Sequence, residues 1–138
     1  MLPRPLLMAA LMVLVALGSG LPVPASAQQV RCHVTYGGEE RLLVAEPVAS
    51  PYRVPAQAIG SYFLFRIVFQ TAPADLAAVR IYTYADREPA PTLVHQVTHP
   101  YPPAPGGRHG FTGLHRVYEP VRDGELEYWC ELIGKEGS

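Results

Sequence analysis

Four of the chain's five histidines, His95, His99, His109 and His115, fall within 21 consecutive residues. Imidazole is the commonest protein ligand for copper and zinc, and the side chain that titrates nearest neutrality. The stretch 99–115, HPYPPAPGGRHGFTGLH, joins three of these histidines to four prolines, four glycines, Tyr101 and Phe111. Two chemistries are open to such a segment: a copper or zinc site, or a binding loop.

Spacing weighs on the metal site. On a strand His95 and His99 share a face but stand about 13 Å apart, at ~3.3 Å per residue. One ion bound at about 2.0–2.1 Å cannot join them. A hairpin that returns the chain would instead bring His95 or His99 near His115, and so His99, His109 and His115 together at one end of the domain. The loop holds no carboxylate to orient those rings, the usual second partner of a metal-bound imidazole. All three methionines, Met1, Met8 and Met12, precede residue 28, so the remaining chain lacks the thioether donors that suit copper(I).

As a binding loop the stretch has a physical logic. YPPAP, residues 101–105, favours extended polyproline II backbone, which costs little entropy to order. Tyr101, His109 and Phe111 would supply contact surface. A loop of about 17 residues is long for a compact domain, and loops of that length are commonly functional or disordered.

Other chemistry finds little support. Beyond residue 27 the only serines are Ser50, Ser61 and Ser138, none in a G-x-S-x-G elbow. The aspartates Asp75, Asp86 and Asp123 fall in expected turns. Of Glu119, Glu125, Glu127 and Glu131, alternation sets the last three on one solvated strand face, not across a cleft as glycoside hydrolysis needs. The sequence therefore reads as non-catalytic.

The two cysteines, Cys32 and Cys130, have no C-x-x-C neighbour. An even cysteine count in an exported chain reads as a structural disulfide. Export is expected from residues 1–27. Arg4 gives a positive start, Leu6 to Leu17 an uncharged apolar run, and Ala25-Ser26-Ala27 a small-x-small cleavage pattern. Twelve residues span about 18 Å as a helix, too short for a ~30 Å hydrocarbon core. The segment reads as a signal peptide, and the protein as periplasmic or secreted with no integral membrane span after cleavage.

Removing 27 residues from 138 leaves 111, enough for one domain over 28–138. Without Arg4, ten basic and twelve acidic residues remain, a net charge of −2. No basic stripe invites nucleic acid.

The elements that must position these residues are short strands. QVRCHVTY, 29–36, alternates with Val30, Cys32, Val34 and Tyr36 on one face. Gly37-Gly38 is a hairpin signal, and a strand over 40–46 follows. SYFLFRIVFQ, 61–70, is apolar on both faces and is expected at the centre of a sheet, with Arg66 paired to a carboxylate or reaching the sheet edge. Further strands are expected over 78–85, 92–99, 113–120 and 125–133. Tyr82 and Tyr84 share an outward face. About seven strands with regular turns describe a small antiparallel β-sandwich, immunoglobulin-like in architecture, or a small barrel. If the first and last strands are neighbours, the Arg31 and His33 face should meet the Glu127, Trp129 and Glu131 face beside the disulfide. The resulting expectation is an exported accessory module that binds another envelope protein through the 99–115 loop.

Overall fold

The computed structural model describes residues 28–134. The expected signal peptide, residues 1–27, and residues 135–138 lie outside the described residues. The chain is all-β. Its strands are β1 (Gln28–Tyr36), β2 (Glu39–Ala45), β3 (Pro47–Val48), β4 (Gln57–Ile59), β5 (Phe63–Gln70), β6 (Ala78–Ala85), β7 (Thr92–Pro100), β8 (His115–Glu119) and β9 (Gly124–Gly134).

They form two sheets. The first has the order β2-β1-β9-β8; the second has β3-β5-β6-β7, with β4 also on β5. Seven strands match those expected. The two additional ones, β3 and β4, are short and flank a 3-10 turn at Pro51–Arg53. Proline lacks the N–H that a ladder needs, which confines pairing here to fragments. β3 pairs with β5 in parallel; every other pairing of named strands is antiparallel.

Period-two alternation builds the core. Phe63, Phe65, Ile67 and Phe69 of β5 pack with Val30, Cys32 and Val34 of β1 and with Leu126, Tyr128 and Cys130 of β9. Each large apolar side chain so buried stabilises by about 1.5–3 kcal/mol. Gly37 and Gly38 both have positive φ and close the β1–β2 hairpin. Left-handed backbone of that kind matches the twist of the strands it joins.

β5 lies inside its sheet and carries buried residues on both faces, with Val68 and Gln70 on the outer one. Among the described residues Arg66 pairs with no carboxylate. Its Nε donates to the Val54 carbonyl at 2.8 Å, and Nη2 donates to the Pro51 carbonyl. A proline-interrupted segment outside the ladder has carbonyls to offer, and Arg66 takes them.

β1 and β9 are direct neighbours. Cys32 stands opposite Cys130 with the Cα atoms 4.1 Å apart, and the two are bonded on the core face. On the outer face Arg31 Nη2 meets Glu131 Oε1 at 2.9 Å, and His33 Nε2 meets Glu131 Oε2 at 2.6 Å. Burial pushes the Glu131 carboxyl up, but hydrogen bonds from His33 and Arg31 outweigh it and hold it below the usual carboxylate range.

One acid is buried. Glu119, at the end of β8, accepts from the Tyr36 hydroxyl and from Arg122 Nε, the latter at 2.9 Å. The Tyr36 hydrogen bond lowers its pKa most; burial opposes this and Arg122 reinforces it. The contacts tie the β8–β9 turn to the end of β1, so this acid is spent on architecture.

Candidate functional site

The connection between β7 and β8 crosses from one sheet to the other. It runs over 101–114, because His99 and Pro100 belong to β7 and His115 to β8. β7 and β8 are therefore not a hairpin. They are the facing edge strands of two sheets, and their inward side chains meet across the gap.

That seam holds three histidines. His95 and His99 project inward from β7, and His115 from β8. The His115 ring lies 5.5 Å from that of His95 and 6.3 Å from that of His99, centroid to centroid. It also stacks on Tyr128 at 5.0 Å. His95 Nε2 is 2.6 Å from the Tyr128 hydroxyl, His115 Nε2 is 3.0 Å from the Thr112 carbonyl, and His99 Nε2 is buried without a protein partner. Burial first, and His115 second, hold His95 and His99 below the ordinary imidazole pKa. Burial drives the Tyr128 hydroxyl strongly upward, so it stays protonated.

The expected convergence of His99, His109 and His115 does not form. Trp129 alternates with Tyr128, so its ring lies on the outer face of β9, and His109 packs edge-on against it at 5.9 Å. One sheet thus separates His109 from the seam. Among the described residues, no group of three or more histidine, cysteine, aspartate or glutamate side chains is arranged to hold a metal ion. The hairpin geometry assumed for the copper or zinc reading is also absent, for the topological reason above.

The loop is docked, not free. β8 covers β9 only as far as Tyr128, and the segment 110–112 takes over from there. The Phe111 amide donates to the Cys130 carbonyl at 3.1 Å, and the Cys130 amide donates to Thr112 Oγ1 at 2.9 Å. Gly110 permits the approach. Its φ is +62°, and a Cβ there would lie 2.0 Å from the Cys130 carbonyl oxygen. Gly110→Val should therefore expel the segment from β9 at a cost of about 1–3 kcal/mol. Hydrogen exchange would report it: the Phe111 amide should lose protection while the amides of β5 and β6 keep theirs.

Two of the three expected contact residues are anchors. Tyr101 packs edge-on against Phe69 at 5.2 Å and donates to Gln28; Phe111 packs against His99 at 5.4 Å. Both rings are turned toward the core. What faces outward is backbone and a different ring. The arm Pro103–Gly107 stands off from Glu131 and Leu132 of β9 and leaves a groove of about 260 Å3. Beside it Trp129 is half-buried, stacked on His33 with ring centroids 3.8 Å apart. Leu42 and Val44 of β2, paired with His33 and Arg31, extend this outer face with exposed apolar surface. Trp129 was legible as an outward residue beside Arg31 and His33, but nothing in the sequence joined it to His109.

No family model, no curated protein and no solved structure matches the chain.

Proposed function

We propose that the protein is an exported, non-catalytic binding module that recognises another envelope protein through the docked loop and the adjoining outer face of β9. One observation carries this reading. Residues 110–112 are fixed to the β9 main chain beside the half-exposed Trp129, and the proline arm that precedes them leaves a groove against the strand. A loop ordered before binding loses little entropy when a partner arrives. Tryptophan is the residue type most enriched among interface hot spots. The cross-strand disulfide and the lack, among the described residues, of any helix long and apolar enough to cross a membrane are compatible with export. For the non-catalytic reading, the loop face presents no serine or cysteine nucleophile: both cysteines are bonded, and Ser61 accepts from Arg122 elsewhere.

A photo-crosslinking residue in place of Arg108, an exposed position on the loop, tests the proposal in the native envelope. One discrete protein adduct is expected, reduced about tenfold or more by Trp129→Ala, the loss typical of a hot-spot truncation. The same residue in place of the exposed Arg87 should give none. No adduct from the loop, or the same adduct from both positions, would remove it.

A further inference from the structure

The outer face of the second sheet carries a cleft that the loop proposal does not use. Its floor is Arg66 and Gln70 of β5 with Arg80 and Tyr82 of β6, and its volume is about 580 Å3. Cross-strand register puts Arg66 directly opposite Tyr82 and Arg80 opposite Val68. One wall is 49–52, ending in the exposed Tyr52; the other is the turn carrying Pro73 and Leu76.

Both guanidinium groups are held in place by neutral acceptors alone. Arg66 donates to the Val54 and Pro51 carbonyls and lies 5.1 Å from the centre of the Tyr82 ring. Arg80 donates to Gln70 Oε1 and to the Leu76 carbonyl, each at 3.2 Å. Gln70 is itself buried and fixed by two more carbonyls, of Ala49 and Ala72. No aspartate or glutamate lines the cleft, and neither arginine makes an ion pair among the described residues. Among the described residues the arginine ion pairs, those of Arg31, Arg116 and Arg122, lie on the first sheet or its turns. A guanidinium has five N–H donors, so each retains donors beyond the two that hold it.

We infer that this cleft binds a small ligand carrying an oxyanion, a carboxylate or a phosphate or sulfate group, on an apolar or ring-shaped body. Two positioned forks with free donors and no resident counter-ion suit such a group. The volume falls in the range of small-molecule sites, and the Tyr82 ring with the Leu76 and Pro73 side chains supplies an apolar wall.

Benzoate, inorganic phosphate and the neutral analogue benzyl alcohol distinguish the terms. The readouts are the Nε–Hε resonances of the arginine side chains and calorimetry on the full chain. Benzoate should bind saturably and move the Arg66 and Arg80 signals. Inorganic phosphate should bind more weakly and compete with it, and benzyl alcohol should fail. Arg80→Gln should weaken benzoate at least about tenfold, the worth of a charge-assisted hydrogen bond. Because Arg66 also holds the 51–54 segment, Arg66→Lys is the second variant: it keeps the charge and loses the fork, and should weaken benzoate while the protein still melts cooperatively as a folded domain. Benzyl alcohol binding as well as benzoate, or benzoate binding equally to Arg80→Gln, would overturn the inference. So would the absence of any saturable shift with either anion.

Discussion

Reduction of the Cys32–Cys130 bond, or its replacement by Cys32→Ala with Cys130→Ala, is expected to lower the melting temperature by roughly 10–20 °C, about 2–4 kcal/mol. The bond closes a loop across a sequence separation of 98 residues. For a loop of about 100 residues the chain-entropy model sets a ceiling near 4.7 kcal/mol, and measured values commonly fall short of it. The location matters as much as the length. β1 and β9 are the first and last strands of the described chain, and they pair in register from Gln28–Gly134 to Thr35–Glu127. Their contact is the least local in the fold, so its closure entropy is the largest that any single pairing must offset. The bond removes that cost from the unfolded side. The sulfurs also fill the centre of the core face, where alanine would leave space beside Val30, Val34 and Tyr128. Urea unfolding with and without reductant would measure the difference. A reduced protein melting within a few degrees of the oxidised one would show that strand pairing alone holds the ends.

Local pattern was the legible part of this fold. Alternation in QVRCHVTY and in ELEYWCELI set Cys32 and Cys130 on inward faces. The same phase set Arg31, His33, Trp129 and Glu131 outward, and the observed ion pairs and ring stack follow from it. The two apolar faces of 61–70 placed β5 inside a sheet. Sheet membership was not legible, and the site depended on it. A proline- and glycine-rich connection between two strands serves a hairpin or a crossing between sheets equally well, since both need only a reversal. Assuming the hairpin put His99, His109 and His115 together. The crossing puts His99 and His115 on facing strands, and leaves His109 on the far side of β9. Tyr101 and Phe111 were misplaced for a related reason. A loop leaving one sheet for another must pass over the open end of the core, and its large rings cover that end. Arg66 has a similar lesson: its acceptors are the carbonyls of Val54 and Pro51, 12 and 15 residues earlier in a proline-interrupted segment, a relation that no periodicity reports.

Acidification should loosen the edge of the sandwich in a pH window set by the histidine seam. His95 and His99 are held below the ordinary imidazole pKa, by burial first and by His115 second. The fold therefore favours their neutral forms. In the unfolded chain both titrate near 6.5. Stability from this source is fully present above that value. It is lost as the pH falls from about 6.5 through the folded pKa values, because the unfolded state takes up protons first. Geometry explains the resistance. No carboxylate pairs with any of the three rings among the described residues, His99 Nε2 is buried with no acceptor, and His95 already meets the Tyr128 hydroxyl. The carboxylates cannot mimic the effect. Glu119 and Glu131 are held below the usual range, so their contribution is present above about 4.5 and declines only below it. Between pH 8 and 5 the melting temperature should fall by several degrees, since 1 kcal/mol shifts a domain of this size by about 4–8 °C. His99→Leu, which keeps the contact with Phe111 and removes the charge, should flatten the profile and melt above the parent protein at pH 5. The order of opening should also be local. β7 and β8 are the edge strands carrying the rings, so amides of β7 should exchange faster at pH 5 than those of β5 and β1. A melting temperature unchanged from pH 8 to 5, or a His99→Leu profile as steep as the parent's, would exclude the seam as the acid-sensitive element.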